Sequence, residues 1–186
     1  ILTVKWFLCI TKRRKNLMSE KQTKVVFDNI LTLAKLVKSK SRREMTPLRL
    51  QKTLYFIFAF YGATLGQLNS ENEGDSKFEG SSDYPKYLFK ENFEAWQYGP
   101  VLRSIYQANK YNSQCIDEAP DWNPSNEKEE SINELIEQVI KQTDEMGDFT
   151  LVERSHEDEE WKNAFDQGQK EMDKDKIIDE YKLEVI

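Results

Sequence analysis

The sequence has 186 residues, 33 Asp and Glu against 27 Lys and Arg, a net charge of −6, and 38% hydrophobic and 12% aromatic residues. That supply supports one domain with a real core and excludes wholesale disorder, while the acidic balance excludes a surface that grips nucleic acid throughout. With two cysteines, Cys9 and Cys115, and a single histidine, His156, a disulfide scaffold and a Cys/His zinc site are both excluded; a reducing cytoplasm is expected, with no metal and no cofactor.

Residues 1–17 hold Lys5, Lys12, Arg13, Arg14 and Lys15 and no acid. This basic extension is expected to lie outside the fold, with Met18 as the biological start and residues 18–186 forming a single domain; the alternative is a basic arm for nucleic acid or anionic lipid. The order of apolar run and basic residues is the reverse of a signal peptide's. No later run reaches the roughly 20 apolar residues that cross a bilayer, so no membrane is expected.

Val26, Ile30, Leu33, Leu36 and Val37 recur at helical spacing and predict an amphipathic helix from Thr23 to Ser39. Thr46 and Pro47 mark the start of a second helix reaching Gly66, with Leu50, Leu54, Phe58, Tyr61 and Leu65 on one face and a second half that is apolar all round. It should be the central helix. Residues 67–86 are polar and read as a loop, long for a compact domain; residues 87–98 suggest a short extended piece leading to Gly99 and Pro100, after which Pro100 opens a helix carrying Leu102, Ile105 and Tyr106. After a polar linker, Ser131 and Glu134 form a possible capping box for a helix with a stripe of Ile132, Leu135, Ile136, Val139 and Ile140. Ser155 and Asp158 suggest another, opening a helix with Trp161, Ala164 and Phe165, and Ile177, Ile178 and Tyr181 suggest a last one. The fold class expected is therefore mainly α: a compact helical domain around a central apolar helix, with a short extended segment at 87–98.

No glycine-rich phosphate loop, nucleophile elbow, H-E-x-x-H or cysteine pair at metal spacing occurs, so an enzyme is not expected. Cys115 with His156 as nucleophile and base lacks any activating feature. His156 suits a structural role packed on Trp161 better than a pH switch or a ligand, and Glu157 to Glu160 suit a solvated helix start.

MTPLRLQKTLYFIFAFYG, LFKENFEAWQYGPVLRSIY and SHEDEEW occur in this order, and together they resemble the Panacea domain, the SocA-like, phage-associated antitoxin family, over about Phe27 to Tyr181. The resemblance implies an antitoxin that neutralises a cognate protein toxin by contact, in a prophage or toxin-antitoxin context, or an adaptor that delivers it to a ClpXP-type protease. Leu54, Tyr55, Trp96, Gly99, Pro100, His156 and Trp161 then fall on architectural positions, with Leu54 and Trp96 in the core. Gln51 and Lys52 precede a buried run, so their polar heads need partners: either an internal one, such as Glu94 or a carbonyl near Trp96, or the toxin. Phe78 and Tyr84 in the loop, and Tyr98 at the turn, are the further candidates for partner contact. The loop at 67–86 departs from the family pattern. A phage regulator using the basic arm is the competing function.

Overall fold

The computed structural model describes residues 24–68, 84–168 and 171–182. The basic extension, Phe78 and most of the loop at 67–86 fall outside them. The described residues are predominantly helical, with eight α-helices and four strands of three residues each.

Pro47–Ala63, here α2, is the central helix, as its composition requires. Thr46 caps it by accepting the Arg49 backbone N–H at 3.1 Å, and Pro47 occupies the first turn. Fourteen of its 17 residues are buried, so neighbours must cover it on every side. They are α1 (Ile30–Lys40), α3 (Arg103–Tyr111), α5 (Glu127–Glu145), α6 (Asp148–His156), α8 (Lys174–Lys182) and two short sheets. The closest approach is to α8: a Cβ placed on Gly62 would lie 2.3 Å from Ile178 Cγ1. Tyr55, Phe58, Phe89 and Phe93 fill the centre with edge-to-face and tilted ring contacts.

Several boundaries differ from expectation. The first helix begins at Ile30, not Thr23, because Asn29 accepts the Leu31 N–H as its cap. Before it, Val25–Phe27 forms β1 and pairs in parallel with β2, Tyr87–Phe89; β-branched residues with a long-range partner leave the helix. The central helix ends at Ala63, with a 3₁₀ turn at Leu65–Gln67. Pro100 does not open a helix: it lies in β4, Gly99–Val101, antiparallel to β3, Glu94–Trp96, and α3 starts at Arg103. Asn126, not Ser131, caps α5, while Glu129 reaches back to the Ser125 N–H at 2.8 Å. Ser131 instead donates to the Glu127 carbonyl inside the helix. Ser155 and His156 close α6 rather than opening α7, Glu159–Asp166. The short α4, Gln114–Asp117, and α6 left no distinct signal.

The acidic stretch at 157–160 is not uniformly solvated. Asp158 is 5% exposed, and its carboxylate accepts from Tyr55 at 2.6 Å, Tyr181 at 2.9 Å and Arg154 at 2.9 Å. Burial raises the Asp158 pKa against those stabilising partners. Glu160, 4% exposed, accepts the Asp173 N–H. Arg49 is another buried charge: it donates to the Thr143 and Met146 carbonyls at the end of α5 and pairs with Asp148 at the start of α6. One guanidinium thereby supplies donors to a helix C-terminus and orients the next helix.

Candidate functional site: a hairpin and its groove

The β3–β4 hairpin is a two-residue turn over Gln97 and Tyr98, with Trp96 paired to Gly99. Gly99 has φ +89°, and a Cβ there would meet Ser155 Oγ at 2.4 Å and Lys52 Nζ at 2.9 Å. Glycine is required at this position on both counts. The hairpin's backbone is claimed from inside. Gln51 Nε2 donates to the Leu102 carbonyl at 3.1 Å while its Oε1 accepts the Leu102 N–H at 2.8 Å. Lys52 Nζ donates to the Pro100 carbonyl at 2.8 Å. Trp161 Nε1 donates to the Trp96 carbonyl at 3.1 Å, and His156 hydrogen-bonds to the Gln97 backbone. The partners of Gln51 and Lys52 are thus carbonyls of the following turn and strand, not Glu94.

Lys52 is fully buried, and burial lowers its pKa from 10.5 to about 7. His156 is lowered too, first by burial and then by the Lys52 charge, with the Gln97 hydrogen bond opposing. Its ring stacks on Trp161, with centroids 3.9 Å apart and planes 9° apart, and Trp161 stacks in turn on Phe165. Glu94 receives Arg103 at 2.7 and 2.6 Å and the Trp96 indole N–H at 2.8 Å.

The hairpin's side chains face a groove of about 700 Å³. Its floor is Pro47, Leu48 and Gln51 from the first turns of α2; Trp96, Gln97, Tyr98 and Val101 form one wall, and Tyr106, Asn109 and Lys110 of α3 form the other. Trp96 is half-buried rather than core: its ring rests on Tyr106 at 4.8 Å and on the Arg103 guanidinium. Tyr98, at the tip, is 57% exposed.

Of the residues singled out from sequence, Leu54 and Tyr55 are fully buried, while Gln51 and Lys52 anchor the hairpin and Gln51 also floors the groove. Tyr84 is 7% exposed and belongs to the core beside Pro85, whose carbonyl accepts from Tyr61. It is therefore not an exposed anchor on a loop, and it does not meet Tyr98 in the groove. The sequence reading missed Leu48, Asn109 and Lys110; Tyr106 and Lys110, four residues apart, place an aromatic and a cation on one helix face, a signal that was there to be used. A second cleft, between α1 and α5, holds charges that already pair, such as Lys40 with Glu137. Among the described residues no group of three His, Cys, Asp or Glu could hold a metal ion, and no helix is long and apolar enough to cross a membrane.

All the hairpin, both groove walls and the His156–Trp161 stack fall within one matched stretch. Residues 78–162 match the antitoxin SocA-like, Panacea domain family. The resemblance carried by AW-x-YGP and SHEDEEW is borne out over a little under half of the chain, a narrower span than Phe27 to Tyr181. The helix with LQK-x-LY precedes the Panacea match, but its Gln51 and Lys52 hold the matched hairpin in place. No curated protein and no solved structure matches the chain.

Proposed function

We propose that this chain is an antitoxin-like protein that neutralises a cognate protein toxin by direct binding, and that the groove beside the β3–β4 hairpin is where it makes contact. The observation that carries the reading is the position of an open, apolar groove, with Tyr98 exposed at its rim, inside the stretch that matches an antitoxin family. Tyr and Trp around a pocket are the residue types that concentrate binding energy. The buried charges support binding over catalysis: Lys52, Asp158 and Arg49 are spent on carbonyls, tyrosines and helix ends inside the fold. Delivery of a captured toxin to a ClpXP-type protease would be a step after this contact.

The test is a growth assay. The product of the neighbouring reading frame is induced with and without this chain, and with Leu48→Arg, which fills the groove. Growth restored by the parent and not by a folded Leu48→Arg supports the proposal; equal rescue by both moves the contact elsewhere.

A further inference from the structure

The groove's chemistry specifies its occupant more narrowly. In a chain of net charge −6, none of its lining residues is acidic, and its one charged group is Lys110. Among the described residues Lys110 forms no ion pair; its ammonium lies 5.5 Å from the Tyr106 ring centroid and 5.1 Å from that of Tyr111, and the two phenols raise its pKa, so it remains a full cation at neutral pH. One turn position away, Asn109 lines the same wall with an amide nitrogen that is buried and has no acceptor. Every other cation whose head is drawn inward in this part of the fold is answered by an acceptor: Arg103 by Glu94, Lys52 by Pro100. A donor left unanswered at the edge of an apolar surface is matched by an acceptor on whatever covers it.

The backbone excludes one mode of capture. A partner strand could add to the hairpin only through a free edge. Beyond β4, Gln51 and Lys52 take the Leu102 and Pro100 carbonyls, and beyond β3, Glu94 bridges Glu171 while Phe93 accepts the Met172 N–H. Recognition in the groove must therefore run through side chains.

We infer, on the basis of the function proposed above, that the groove takes a short apolar segment of the partner protein carrying an Asp or Glu, whose carboxylate is received by Lys110 and Asn109 while its apolar side chains fill the space between Leu48, Trp96 and Tyr106. The charge sign selects against basic segments, so Lys110 sets partner choice as well as strength.

The experiment uses the purified full chain and a displayed library of random twelve-residue peptides. Enriched peptides are synthesised with a fluorescent label and their affinity is read by anisotropy. The expected result is a set rich in Leu, Ile, Phe or Trp with at least one Asp or Glu, weakened about tenfold or more by Lys110→Glu, partly retained by Lys110→Arg, and lost with Leu48→Arg. Thermal melts confirm that each variant is folded. Enrichment of basic or uncharged peptides, absence of enrichment, or a Lys110→Glu affinity within about twofold of the parent would overturn the inference. A dimer seen by sedimentation and abolished by Leu48→Arg would also overturn it, by making a second copy the occupant. The growth assay is independent: rescue without acidic peptide selection sinks the inference alone, whereas acidic peptide binding without rescue sinks the antitoxin reading alone.

Discussion

The backbone of the β3–β4 hairpin and its side chains face opposite demands. Its carbonyls at Trp96, Gln97, Pro100 and Leu102 are each taken by a polar group from another part of the chain, namely Trp161, His156, Lys52 and Gln51. Its side chains Trp96, Tyr98 and Val101 instead line a groove whose apolar surface is only partly covered. The inner contacts are made by groups from α2, α6 and α7 that have few other partners to choose, so they fix where the hairpin stands. The outer surface contributes little to the fold and is free to vary with the partner. Substitutions on the inner side should therefore show first in stability and those on the outer side first in binding.

The largest effect is expected at Gly99. Gly99→Val places a branched side chain at φ +89° against Ser155 and Lys52, and should cost about 3 to 5 kcal/mol of unfolding free energy in urea; a loss under about 1 kcal/mol would mean that the hairpin is not held from within. Next is Lys52. Its folded pKa of about 7 lies below the value of 10.5 expected in the unfolded chain, so between these pH values the unfolded state binds the extra proton and stability rises with pH. The parent should gain up to about 4 kcal/mol between pH 7 and 10 relative to Lys52→Met, which lacks the titrating group. Parallel pH profiles for the two would show that the amine is not desolvated.

Smaller effects belong to the groove. Trp96→Ala should destabilise by about 2 kcal/mol, less than the 3 to 5 kcal/mol usual for a fully buried aromatic, because half of the ring is open and only its Tyr106 and Glu94 contacts are lost. A melting curve and a binding titration on one sample would separate the two losses. Tyr98→Ala should change stability by no more than about 0.5 kcal/mol, since the ring is mostly exposed, yet weaken binding of the partner protein by about 2 kcal/mol, measured by calorimetry. Unchanged affinity would remove the hairpin tip from the interface and end the contrast between its two sides.

The central helix was legible in advance because Thr46, Pro47 and an apolar run without a polar face allow one local reading. The α5 stripe was legible for the same reason, Ile132, Ile136, Val139 and Ile140 all being buried. So was the pairing of His156 with Trp161, five residues apart at a helix junction. The errors share a cause. Val26 and Phe27 fit a helical period as well as a strand, and only Tyr87–Phe89, brought alongside by the fold, decides for the strand. Pro100 is as acceptable in a strand as at a helix start once Lys52 takes its carbonyl and no N–H is asked of it.

By itself, the sequence determined the helical class, the identity of the buried central helix, the need of Gln51 and Lys52 for partners, and the likeness to an antitoxin family through motifs of fixed order. The tertiary structure alone decided who those partners are, that Trp96 is an open wall while Tyr84 is sealed in the core, and that Lys110 is the one charge in an apolar groove. The physical reason is range. Capping, periodicity and turn chemistry act within a few residues and can be read along the chain, whereas burial and the pairing of a charge depend on elements 50 or more residues apart, as Gln51 and Leu102 are, and exist only once the chain has closed on itself.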